Sequence, residues 1–424
     1  MLGACVPEVA PPDPLRGRHD LEEVGIRMSA PERARAFGAA LASDGVRVLV
    51  GAPATADGAG AAWLVTDDTE RVVDGARPGD EAGAAVALGE SWFVGIPHAG
   101  ERVDIAGVRL GTGAVTSEDR QLTGDEAGDC FGASLASGSD RGLLVGAPCR
   151  GSVAFEHPSL PRSVLADGPG AAFLYSAGER RATFEGTELR DRLGHSVAWL
   201  GDTAVLGAPD RFGGDLTNPE AEGRVHLFRA PGDGTFSPAS ADSTLAGGRG
   251  TRQLHDEHGW SLATGDIDQD GRDDLFVGAP ELDDFQRQGG GWIFSDPWSR
   301  AAYGWDAEIA VAGEPQSGSS ARAGSAALIA DLNCDGAPDL AAGAPLLTTD
   351  AERAGAVYVA YGPLSSWTPL ASTGVVLSGR GLGTRAGTAL AAADRDGDGC
   401  AELWIGAPGA EDGRGVIYVV SLGP

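Results

Sequence analysis

A chain of 424 residues with 66 glycines, 12 phenylalanines, 9 tryptophans and 5 tyrosines has room for two or three ordinary domains or for one large closed repeat array. Its 61 acidic residues against 32 basic ones leave a formal charge of -29, which repels nucleic-acid phosphates and anionic lipid headgroups and argues against both as primary partners. No hydrophobic run approaches the roughly 18 to 20 apolar residues of a membrane-spanning helix.

At the start of the chain, Leu2-Gly3-Ala4-Cys5 has the pattern of a bacterial lipobox, in which Cys5 would carry a lipid anchor. The charged and apolar regions that normally precede such a site are missing, so lipidation and a chance match both stay open. Residues 6–20 are rich in proline and charge and read as a tether. The expected division is therefore a leader over 1–22 and a folded unit over 23–424.

Three phrases then recur seven times. The first is built on glycine and small apolar residues: FGAALAS (37–43), AGAAVAL (82–88), FGASLAS (131–137), LGHSVAW (193–199), HGWSLAT (258–264), AGSAALI (323–329) and AGTALAA (386–392). The second ends in Gly-Ala-Pro or its variant: VLVGAP (48–53), FVGIP (93–97), LLVGAP (143–148), VLGAP (205–209), LFVGAP (275–280), LAAGAP (340–345) and LWIGAP (403–408). A third, β-prone run follows each copy: GAAWLV, GAVTS, GAAFLY, GRVHLF, GGWIFS, GAVYVAY and GVIYVV. Six copies are also preceded by a fourth apolar segment, from RVVDG (71–75) to VVLSG (375–379), and the seventh such segment is VGIRM (24–28), at the other end of the chain. Four strands repeated seven times, with the last unit borrowing a strand from the N-terminus, describe an all-β, seven-bladed propeller. Exchange of that strand closes the ring and leaves few unprotected edges.

The turn between the first two strands has two lengths. From glycine to glycine it spans 13, 12, 14 and 13 residues in the first four repeats (Gly38–Gly51, Gly83–Gly95, Gly132–Gly146, Gly194–Gly207) and 19 in the last three (Gly259–Gly278, Gly324–Gly343, Gly387–Gly406). The additional residues are acidic: DIDQDGRDD (266–274), DLNCDGAPD (331–339) and DRDGDGCAE (394–402). Oxygen-bearing side chains occupy positions 1, 3, 5 and 9: Asp266, Asp268, Asp270 and Asp274; Asp331, Asn333, Asp335 and Asp339; Asp394, Asp396, Asp398 and Glu402. The carbonyls of Arg272, Ala337 and Cys400, at position 7, are candidate further ligands. Such a set suits calcium, a hard cation that takes six to eight oxygens, better than magnesium, which prefers to keep several waters. About three calcium ions are expected. An EF-hand would need glutamate at position 12 and flanking helices, whereas Val277, Ala342 and Ile405 stand there and the flanking segments are strands.

With these phrases in this order, residues 24–420 resemble the FG-GAP repeats of the integrin α-subunit propeller and of many bacterial secreted proteins. The resemblance implies calcium loops on one face and ligand contacts on the other. The aromatic of the FG phrase is kept only at Phe37 and Phe131, with Ala82, Leu193, His258, Ala323 and Ala386 elsewhere. Nothing resembles the rest of an integrin subunit, so integrin signalling is not carried over.

On the face opposite the loops, the longest connections are expected near 98–112, 149–169 and 210–222. They contribute Arg102, Arg109, Phe155, His157, Arg162, Arg211 and Phe212 as candidate ligand-binding residues. Cys130 and Cys149 fall at the same end of an antiparallel pair and suggest a disulfide, in keeping with an oxidising compartment; pairing of Cys334 with Cys400 is left open. His255-Asp256-Glu257-His258 lacks the spacing of a metalloprotease helix, and the blades take up nearly the whole chain, so no catalytic residues are expected. The reading is an extracytoplasmic, calcium-binding adhesion module for a protein or glycan, with a purely structural ring or a hydrolase on the opposite face as alternatives.

Overall fold

A computed structural model describes residues 14–423 apart from 67–68, 98–106, 112–119, 156–163, 167, 210–222, 248–255, 283–287, 296, 299–303, 305–306, 308, 316–319, 350, 365–367 and 373. Seven antiparallel sheets stand around a central channel. Blade one runs Ala40–Ser43, Val48–Ala52, Ala61–Val65 and Thr69–Asp74 from the channel outward. The inner strands of the others are Val86–Leu88, Ser134–Gly138, Ser196–Leu200, Leu262–Gly265, Ala326–Ala330 and Ala389–Ala393. Blade seven takes its outer strand from the N-terminus: Ile26–Ser29 lies antiparallel to Val416–Val420, with Ile26 opposite Val419 and Ser29 opposite Val416. The seven-bladed propeller closed by strand exchange is thus the fold.

The nearly all-apolar second strands follow from this stacking, because each sheet has a neighbour on both faces. In Val48–Ala52 alternate side chains part company. Val48 and Val50 join a core with Trp404 and Ile417 of blade seven, while Leu49 joins one with Val86 and Val94 of blade two. All five residues of that strand are buried. Outer strands are half-exposed; Thr69–Asp74 buries only Val72 and Val73.

The recurrent glycines mark where blades touch through their backbones. A Cβ built on the glycine of each Gly-Ala-Pro phrase (Gly-Ile-Pro in blade two) would lie 1.9 to 2.3 Å from a carbonyl oxygen of the next blade: Gly51 to Gly83, Gly95 to Gly132, Gly146 to Gly194, Gly207 to Gly259, Gly278 to Gly324, Gly343 to Gly387 and Gly406 to Gly38. That is too close for any side chain. Three blades add a hydrogen bond to the same oxygen, with Ser134, Ser196 and Ser261 hydroxyls donating to Gly194, Gly259 and Gly324 at 2.7 to 2.8 Å.

Three expectations need correcting. The leader does not extend to residue 22: Gly17–Asp20 runs parallel to Gly374–Ser378 as a fifth strand of blade six. Leu21 is fully buried between blades six and seven, and Arg18 donates to the Ser378 hydroxyl at 3.0 Å. The hydrophobic anchor Leu21 and these polar contacts dock a segment whose composition suggested a tether. In blade two the third strand is Gly107–Gly111, not GAVTS, because pairing of Gly95 with Val108 sets the register; residues 113–117 lie outside the described residues. Blades three and five also gain parallel fifth strands, Gly234–Phe236 and Thr368–Pro369.

Candidate functional site

The three long turns fold alike. The side chain at position 1 accepts from the amide of the position-6 glycine: Asp266 from Gly271 at 3.0 Å, Asp331 from Gly336 at 2.9 Å and Asp394 from Gly399 at 3.0 Å. Position 3 accepts from the amide of position 5, and position 5 from that of position 7, at 2.7 to 3.2 Å throughout. Position 9 opens the second strand and accepts from the amide of position 2, with Asp274 bonded to Ile267, Asp339 to Leu332 and Glu402 to Arg395. Ile267 and Leu332 are themselves buried, pinning those loops to the core. Each carboxylate of the blade-five loop, and Asp331 in that of blade six, thus spends one oxygen on the curl of its own loop and has another to offer inward, whereas Asp339 and Asp394 use both, accepting also from the amides of Gly362 at 2.8 Å and Gly397 at 2.7 Å.

Several of those second oxygens have no partner. Asp266 Oδ1, Asp274 Oδ1 and Asp331 Oδ1 are buried without a hydrogen bond, a costly state for a carboxylate unless a cation supplies the missing contact. Asp266, Asp268 and Asp274 bring oxygens within 4.8 Å of one another, as do Asp394, Asp396 and Asp398. In the middle loop the Asn333 amide donates to Asp335 at 2.9 Å, relieving part of the same repulsion. Burial, then the neighbouring carboxylates, raise position 9: Asp274 and Asp339 are pushed up to about 6, and Glu402 also moves upward. The donor set fits a hard divalent cation held by side chains at positions 1, 3, 5 and 9.

A family model for the FG-GAP repeat matches residues 258–294, 323–360 and 386–420, the blades that carry these loops. These three blades are FG-GAP repeats. The chain is 36% identical over 171 residues to phosphatidylinositol-glycan-specific phospholipase D of Rattus norvegicus, a match covering 38% of this chain and 20% of that protein. It is 33% identical over 150 residues to integrin alpha-7 of Homo sapiens, covering 35% of this chain and 12% of that protein. The chain therefore spans about a fifth or less of the length of these relatives. The WD40 β-propeller domain of Doa1 superposes with a TM-score of 0.52 over 94% of this chain and 96% of that one at 10% identity, a likeness of fold alone. Among the described residues no helix is long and apolar enough to cross a membrane.

From the sequence, the candidate ligand residues are expected on the face opposite the acidic loops. Of these, Arg102, His157, Arg162, Arg211 and Phe212 lie outside the described residues. Phe155 ends the short strand Val153–Phe155, which pairs with Val164–Ala166. Arg109 is not in a loop: it lies in the middle of the third strand of blade two, between Val94 and Gln121, because that strand begins at Gly107. Sequence reasoning missed a different cluster at the same end of the channel. Arg322 is sandwiched between ion pairs to Glu257 and Glu281, both at 2.5 Å, and its guanidinium stacks 4.5 Å from the Trp260 ring. Trp260 in turn lies 4.3 Å from His195. The signal was positional, since Glu257 and Arg322 each stand two residues before an FG glycine.

His258 occupies the aromatic position of its FG phrase and is fully buried against Trp292, 5.1 Å away, and Phe294. Neither ring nitrogen has a partner, and burial pulls its pKa down to about 3. His226, buried in blade four, is pulled down to about 4 by burial and by Arg224. In the unfolded chain both bind protons near pH 6.5 that the native state refuses, so stability present above that pH is lost as pH falls toward 4. Replacing His258 with Phe should flatten this slope and raise stability at pH 5 by about 2 kcal/mol relative to wild type. Denaturant titrations of both proteins from pH 8 to 4.5 will read it; identical slopes would refute it.

Two cysteine pairs are joined. Cys130 and Cys149 bridge the ends of the first two strands of blade three, with Cα atoms 5.3 Å apart, and Cys334 and Cys400 connect the acidic loops of blades six and seven at 5.7 Å.

Proposed function

We propose that this FG-GAP propeller is an extracytoplasmic module that binds calcium in blades five to seven and a protein or glycan on the opposite face. The observation that carries the calcium reading is the set of buried, unpartnered oxygens on Asp266 and Asp274 in the loop of blade five and on Asp331 in that of blade six, two of three loops that share one bonding pattern. Calcium, with six to eight oxygen ligands, would complete each loop from the four side chains and the position-7 carbonyls of Arg272, Ala337 and Cys400. Two disulfides favour an oxidising compartment. The kinship with integrin alpha-7 supports the binding role, and a lipid at Cys5 would hold the module at a membrane surface.

The test is capture by the full chain from matrix, glycan and envelope fractions, with calcium and with chelator. Capture should require calcium and fall several-fold in Trp260→Ala, while the calcium stoichiometry of about three is kept. Equal capture with chelator, and by the variant, would leave a structural ring as the better account.

A further inference from the structure

Position 4 of every acidic loop has a left-handed backbone, with φ of +62° at Gln269, +59° at Cys334 and +75° at Gly397. In the first two loops the side chain there crosses to the next blade. Gln269 Nε2 donates to the carbonyl of Gly336 in the loop of blade six at 3.0 Å. Cys334 does the same covalently, bonding Cys400 in the loop of blade seven across a sequence separation of 66 residues. The third loop has glycine at this place, and on its side toward blade one the Asp394 amide donates to the Gly45 carbonyl of the short hairpin at 2.9 Å. The loops thus form an arc in which each reaches forward to the next, and one joint of the arc is a disulfide.

That joint sits among candidate ligands. Cys334 is flanked by Asn333 and Asp335, whose amide and carboxylate are bonded to each other at 2.9 Å. Cys400 stands at position 7, its amide held by Asp398 at 2.7 Å. We infer that the Cys334–Cys400 bridge is a redox-controlled clamp that holds the loops of blades six and seven in cation-binding geometry together. The inference rests on the calcium reading above. Oxidised, the bridge limits how far two mutually repelling sets of carboxylates can splay, so less order has to be imposed when calcium enters. A dithiol reductant cleaves it: the S–S bond breaks, Cys334 and Cys400 take up two electrons and two protons as thiols, and the reductant closes to its own disulfide. The loop of blade five, with Gln269 and Arg272 at the corresponding positions, is the built-in reference.

The experiment is a calorimetric calcium chloride titration of the full chain in three forms: purified without reductant, treated with dithiothreitol, and as Cys334→Ala. Because dithiothreitol also opens Cys130–Cys149, the variant isolates the clamp; should the variant fail to fold, the treated wild type still reports. Two of the three sites should weaken by about tenfold or more in both the treated and the variant protein. The third should keep its affinity. Further dithiothreitol should leave the variant unchanged at those two sites. Equal affinities in oxidised and reduced protein, or free thiols at Cys334 and Cys400 in protein purified without reductant, overturn the clamp alone. Calcium binding that is absent in all three forms overturns the calcium sites and the clamp with them.

Discussion

Chelation of calcium should lower the melting temperature by about 10 °C and loosen one arc of the ring before the rest. The magnitude follows from linkage: a site held at ~100 times its dissociation constant contributes about 2.7 kcal/mol, and three such sites in a chain of this size shift the midpoint by that order. The location follows from charge. Without a cation, two carboxylates about 4 Å apart repel by roughly 4 kcal/mol at an effective dielectric near 20, and the buried Oδ1 atoms of Asp266 and Asp331 are left without a hydrogen bond. Amide exchange should therefore rise first at 266–274, 331–339 and 394–402, while blades one to four, which turn on short hairpins, keep their protection. The gain from calcium should shrink as pH falls through about 6, because protons then compete for Asp274 and Asp339, whose burial holds them protonated to that pH. A midpoint indifferent to chelator would sink the structural role of these loops.

Much of the architecture could be read from the chain because propeller blades are defined by local patterns. The apolar run before each Gly-Ala-Pro, the FG phrase upstream and the displaced VGIRM segment identify strands and closure without any knowledge of distant contacts. The acidic loops were legible for the same reason: oxygen donors at positions 1, 3, 5 and 9 with glycine at 6 form a pattern within nine residues. What depends on packing between segments was not legible. Both GVRLG and GAVTS suit a third strand in blade two, and only the pairing of Gly95 with Val108 chooses between them. That error displaced Arg109 from strand to loop. Residues 17–22 carry the proline-flanked, charged composition of a tether, yet Leu21 finds a pocket between blades six and seven. The reach of Gln269 to Gly336 depends on how far apart adjacent loops stand, which no single repeat records.

The same dependence on blade spacing makes the glycine of Gly-Ala-Pro the most sensitive position in each repeat. Gly406→Ala should destabilise the protein by about 4 kcal/mol or more, or prevent folding, although it adds a single methyl group. Its Cβ would stand 1.9 Å from the carbonyl oxygen of Gly38 and 2.9 Å from the carbonyl carbon. Both are backbone atoms, so no rotamer change can relieve the clash. Blade seven would have to move away from blade one, and that interface is where the ring closes. Separation there also exposes the core that Trp404 and Ile417 share with Val48 and Val50, so the loss is of burial as well as contact. Gly232, with nothing within 4 Å of a Cβ, is the control: Gly232→Ala should change stability by no more than about 0.5 kcal/mol. Denaturant unfolding of the two variants side by side decides the matter. If Gly406→Ala folds with the stability of Gly232→Ala, the blades are not held at backbone contact, and the glycines of the repeat serve the strand ends rather than the joints between blades.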